Sequence, residues 1–140
     1  MDAAAVIERL ALQPHPEGGH FRETWRHEPG DGSRGAGTAI YFLLAAGERS
    51  HWHRVDADEI WLFHAGAPLL LEQAPPDGGP AVGAVVGPDL LADQEPQRRV
   101  PPGWWQAAAS LGDWTLVSCT VSPAFDFAGF ELAPHGWTPG

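Results

Sequence analysis

GERSHWHRVDADEIWLFHAG, residues Gly47 to Gly66, holds the densest set of chemically capable side chains in the sequence. His51 and His53 stand two apart, so on an extended strand both imidazoles leave one face. Glu59 follows after RVDAD, a charged segment able to turn the chain back into an antiparallel neighbour. Two imidazoles and a carboxylate meeting across such a hairpin form a donor set for a divalent transition metal, with positions left open for water or substrate. Gly47 and Gly66 bracket the unit as turns.

A glycine, an HxH pair, a glutamate and a glycine seven residues later resemble the first motif of the cupins, small β-barrels. Five residues separate His53 from Glu59, where the family usually has three or four. Gly87 with Pro101-Pro102-Gly103-Trp104-Trp105-Gln106 resembles the second motif, and Gln106 stands where a histidine, the fourth ligand, is usual. HPEGGHFRETWR, IYFLL, ERSHWHRVDADEIW, VPPGWWQAA and VSPAFDFAGFELA extend the resemblance to the DUF985 or Cupin_5 subgroup over about residues 5 to 133. The resemblance implies an all-β double-stranded β-helix, or jelly roll, with a hollow for a small ligand, and a homodimer. It also implies His51, His53, Glu59 and Gln106 as metal ligands. Leu62 occupies a position where the subgroup has a histidine; His64 lies two residues further on.

The chain has 140 residues, 44% hydrophobic and 19% charged, which fits one globular domain with residues 134–140 as an irregular tail. Its formal charge is −10, and all eight basic residues are arginine. Such a surface repels nucleic acid and anionic membranes, so neither is an expected partner. Without lysine no mechanism that needs a Schiff-base lysine can operate, and no organic cofactor is expected. Cys119 is the sole cysteine, no apolar run reaches membrane-spanning length, and MDAAAVIERLAL lacks a basic leader; a cytoplasmic location is expected.

Asp2 is placed to cap a helix over Ala3 to Leu12 that covers an open part of a sheet. Strands are expected over His20–Arg26, Thr38–Leu44, the two arms of the hairpin, Ala67–Glu72, Val82–Val86, Arg98–Val100 and Trp114–Val121. Gly- and Pro-rich turns separate them, a pattern that permits a lipocalin-like or immunoglobulin-like sheet as well as the jelly roll. His15, His20 and His27 lack ligand spacing and read as surface or turn residues. Leu90 and Leu91 are expected to tuck under the barrel, and Phe125, Phe127 and Phe130 to pack outside it or across a subunit contact. Cys119 reads as a buried, inert thiol.

Three functions suit this pattern. The first is a metal-supported isomerase, epimerase or lyase acting on a small polar, sugar-like molecule. A Zn, Mn, Fe or Ni ion would polarise the substrate. His53, Glu59 or His64 would move the proton, Arg22 and Arg49 would hold an anionic group, and Tyr41, Trp61 and Trp104 would line the pocket. The second is a metal-free ligand-binding module, which Gln106 and Leu62 favour; the third is an Fe(II)-dependent dioxygenase. Whether His64 faces inward depends on the strand register after Glu59.

Overall fold

A computed structural model describes residues 1–140. One helix, α1 (Ala3–Leu10), precedes eleven strands: β1 (Gln13–Pro14), β2 (His20–Arg26), β3 (Thr38–Ala45), β4 (Arg49–Val55), β5 (Asp58–Gly66), β6 (Leu69–Ala74), β7 (Val82–Val86), β8 (Gln97–Val100), β9 (Trp105–Ser110), β10 (Trp114–Ser122) and β11 (Phe130–Leu132). They form two antiparallel sheets, in the orders β1-β2-β3-β10-β5-β8 and β11-β4-β9-β6-β7. Sequence neighbours β4 and β5 lie in different sheets, so the hairpin of Gly47 to Gly66 crosses the sandwich instead of pairing with itself. This is the jelly roll.

Alternation along the strands divides inside from outside. Phe42 and Leu44 of β3, Trp61 of β5, Leu69 and Leu71 of β6, and Val117 and Cys119 of β10 meet in one buried cluster between the sheets. This cluster fills part of the interior and leaves polar residues to line the rest. On the outer face of the first sheet, Val6 of α1 and the following Leu12 pack against Leu43. The Asp2 carboxylate caps α1 by accepting from the Ala5 N–H at 2.9 Å, and Ala11 ends it in the left-handed conformation, so the helix stops at Leu10, two residues short of the expected Leu12.

Two expectations about packing fail, and the irregular tail proves to be docked. Leu90 and Leu91 are exposed, because Asp89 caps a short 3₁₀ turn that swings them outward. The tail after Leu132 docks: Trp137 stacks on Trp105 with ring centroids 4.6 Å apart and meets Trp52 edge-on at 6.2 Å. Phe125, Phe127 and Phe130 cluster at the mouth of the interior cavity, with centroids 4.9 to 5.9 Å apart. Arginines hold this segment there. Arg26 Nη1 donates to Phe125 O at 2.9 Å, and Arg34 Nε donates to Ala124 O at 2.8 Å while its fork pairs with Asp56.

Candidate functional site

The interior opens at one end of the barrel into a cavity of about 80 Å³. One water needs roughly 10–15 Å³ by a comparable measure, so a molecule of several heavy atoms fits. His15, Glu17, His53, Glu59 and Cys119 form its polar wall. Phe21, Ile40, Val55, Val121 and the three mouth phenylalanines form the apolar one.

Glu17 reaches the site through the turn between β1 and β2. Gly18 adopts φ +108°, and a Cβ there would lie 2.1 Å from Arg49 O; only glycine lets the turn press so closely on β4. Glu17 O accepts from the His51 N–H at 2.8 Å, which takes that amide out of the β4–β9 ladder, where the register shifts between Ser50 and His53. The shift turns His51 aside. Its Nε2 donates to Pro134 O at 3.1 Å, in the tail, while His53 points into the interior and is 2% exposed. The expected parallel pair of imidazoles is therefore absent.

His53 Nδ1 donates to His51 O at 2.7 Å, and Nε2 lies 2.7 Å from Glu17 Oε2. The contact is an ion pair between two buried groups, Glu17 being only 7% exposed. Burial alone would lower the His53 pKa. The Glu17 charge and contact, with help from Glu59 and the bond to His51 O, outweigh burial and push it up to about 9. Burial likewise opposes ionisation of Glu17, but the His53 charge prevails and holds its carboxyl below the ordinary glutamate range. His15 accepts from the Glu17 N–H at 3.1 Å through Nδ1, which puts its own hydrogen on Nε2; burial lowers its pKa and keeps it neutral. It is a wall residue, packed edge-on against Phe21 at 4.6 Å, and not the surface residue expected.

Glu59 faces the same cavity from β5. Burial raises its carboxyl to about 7, against the opposing pull of His53. Gln106 Nε2 donates to Glu59 Oε1 at 2.8 Å, and Gln106 Oε1 accepts the Trp61 indole N–H, also at 2.8 Å. Burial raises the Cys119 thiol pKa well above its ordinary range, so the thiol stays protonated beside Glu59.

This donor set does not fit the metal centre expected from the HxH motif. His51 has turned to the tail, the Gln106 carbonyl is committed to Trp61, and no three His, Cys, Asp or Glu side chains are grouped to hold an ion. The other expected residues also lie elsewhere. Trp61 is fully buried in the core and Trp104 packs against the same cluster, so neither offers a stacking wall. Arg49 pairs with Glu72 at 3.0 Å on the outer surface. Arg22 lies over the Tyr41 ring at 5.6 Å, His64 meets Tyr41 edge-on, and His64 Nε2 bonds to Ser118 Oγ, all outside the barrel on the far side of the first sheet. Alternation along β5 turns Glu59, Trp61 and Phe63 inward and so puts His64 outward, on the face of Leu62.

The model of the cupin superfamily group Cupin_5 (DUF985) matches residues 4–133. The chain belongs to this cupin family. An X-ray structure of a protein from Shewanella oneidensis is similar to this cupin at 44% identity and TM-score 0.89, over 95% of this chain and 85% of that one. A hypothetical protein from Leishmania major is similar at 34% identity and TM-score 0.86, over 95% and 88%. An oxalate decarboxylase from Bacillus subtilis shares the fold at 12% identity and TM-score 0.63; this cupin covers 29% of its length. No curated protein matches the sequence at a significant level. No helix is long and apolar enough to cross a membrane.

Of the residues singled out by sequence, His53 and Glu59 line the cavity and Gln106 bonds to Glu59; Glu17, His15 and the mouth phenylalanines were missed. Pro16-Glu17-Gly18-Gly19 reads as an ordinary turn. The signal it carried was the double glycine, which allows a backbone to touch another strand.

Proposed function

We propose that this cupin is a proton-transfer enzyme of the isomerase or epimerase type, acting on a small carbonyl compound, with Glu59 as the acid–base group and the His53–Glu17 pair as its electrostatic support. The observation that carries this reading is the contrast between two neighbours in one cavity: a carboxyl poised near pH 7 and an imidazolium held charged to about 9. A group is most effective at moving protons when its pKa lies near the working pH, and Glu59 meets that condition.

In the step envisaged, ionised Glu59 takes a proton from the carbon next to the substrate carbonyl. The C–H electron pair moves into the new C=C bond, and the carbonyl π pair moves onto oxygen. The fixed positive charge of His53 stabilises that oxyanion, and Glu17 keeps His53 charged. Glu59 then returns the proton to the same carbon from the other side or to the neighbouring one. The apolar wall of Phe21, Ile40, Val55 and Val121 lowers the local dielectric beside these charges, which strengthens their interaction.

Hydrogen exchange tests the reading without knowledge of the physiological substrate. Neutral hydroxy ketones and hydroxy aldehydes of three to six carbons are incubated with the protein in D₂O and followed by proton NMR. Loss of the α C–H signal with wild-type protein, and its persistence with Glu59→Gln, is the expected result. If compounds bind but none exchanges, the barrel is the metal-free binding module and the enzyme reading fails.

A further inference from the structure

The charge inventory of the cavity limits what enters it. Arg26 is the one guanidinium on the wall, and its charge is matched: Nε and Nη2 donate to the two Glu23 oxygens at 2.9 Å each, and Nη1 donates to Phe125 O. His53 is matched by Glu17. Glu59, when ionised, has no cation of its own; it has the neutral Gln106 amide. No positive group is left over for an anion, and the barrel sits in a chain of formal charge −10. Three carboxyl groups, those of Glu17, Glu23 and Glu59, line the cavity against these two cations. A carboxylate without a cation of its own is best met by a hydrogen-bond donor or a positive charge.

Resting on the reading of this cavity as the ligand site, we infer that it selects its ligand by charge: it takes a neutral or cationic small molecule whose hydroxyl or amino group meets the carboxyl groups of the wall, Glu17 and Glu59, and whose apolar body lies against Phe130 and Phe125. Carboxylates and phosphates are rejected, because each would meet Glu17, Glu23 and Glu59 with every cation already paired. The substrate class is thus an uncharged or amino-substituted carbonyl compound with an apolar end. Phosphorylated sugars and small dicarboxylates fall outside it.

Isobutanol, isobutylamine and isobutyrate separate the possibilities. They share one branched apolar body of a size the cavity admits and differ only in the head group. None carries a carbon acid that Glu59 could exchange, so binding is read independently of catalysis. Each is titrated into the full-length protein at pH 7 and followed through the ring signals of His53 and Phe130. The alcohol and the amine are expected to move these signals saturably, with isobutyrate weaker by about tenfold or more. Glu17→Gln is expected to weaken the amine about tenfold and to narrow its lead over the carboxylate. Isobutyrate binding as well as the amine, or no movement of the cavity signals with any of the three, overturns the inference. Should Glu17→Gln fail to fold, the ranking of the three heads on wild-type protein decides alone. Absence of hydrogen exchange alongside the expected ranking would remove the enzyme reading and leave this one standing.

Discussion

His53 Nε2 and Glu17 Oε2 lie 2.7 Å apart inside the barrel, joining a strand to a turn more than thirty residues earlier in the chain. Because both groups are buried, their ionisation is coupled to folding. The pKa of His53 rises to about 9 from 6.5, so its stabilisation is complete below 6.5 and disappears as pH climbs through 9. Glu59, raised to about 7 from 4.5, favours the fold fully below 4.5 and loses that contribution as pH climbs through 7. Glu17, held below 4.5, contributes above that value and loses its effect on acidification. The protein should therefore be most stable near pH 5 and weaken toward pH 9, each raised group accounting for roughly 3 kcal/mol if taken alone. Denaturant midpoints at pH 5, 7 and 9 check this. Glu59→Gln should flatten the interval between pH 5 and 7 and leave the loss between 7 and 9.

Replacing Glu59 by glutamine preserves the shape of the site and its bond from Gln106, so the variant should fold. Proton exchange into a substrate that wild type processes should fall by about 10² or more. The wild-type rate should rise with pH through about 7, as Glu59 ionises.

Gln106→Leu removes the acceptor for the Trp61 indole and the donor to Glu59 together. A buried indole N–H left unpaired costs about 1–3 kcal/mol, so chemical denaturation should show a loss in that range. Loss of the donor also disfavours ionised Glu59, which should move the rate profile to higher pH.

Gly18→Ala adds a methyl where the backbone of Arg49 already stands, at a φ that alanine rarely adopts. The turn must retreat and carry Glu17 with it. A loss of several kcal/mol is expected, as for overpacking combined with backbone strain. NMR titration of the His53 ring should show its pKa falling back toward or below 6.5. By contrast, His51→Ala should cost only about 1 kcal/mol, the bond to Pro134 O, and leave exchange within about threefold.

The barrel was legible because its causes are local: apolar alternation in Trp114–Val121, the apolar run Thr38–Leu44 and the Gly/Pro turns each determine short strands. Glu59 was legible too, since it shares a strand face with Trp61, which the core requires. The HxH motif misled because two-residue periodicity holds only while the ladder is regular. The carbonyl that perturbs it comes from Glu17, and nothing near His51 in sequence announces it. His64 failed for a simpler reason: it stands an odd number of residues from Glu59 and Trp61, so the alternation that turns those two inward turns it out. Phe125, Phe127 and Phe130 have no period at all; their position is imposed by Arg26 and Arg34, which bond to backbone carbonyls and so leave no mark in side-chain pattern.

The chain from Trp61 through Gln106 to Glu59 gives the molecule a built-in indicator. When the carboxyl gains or loses its proton near neutrality, the amide between them is repolarised, and the indole hydrogen at its other end must register the change. Among the seven tryptophans, that single proton resonance should drift with a midpoint close to 7, reporting the state of the reactive acid from within the core and with no added label.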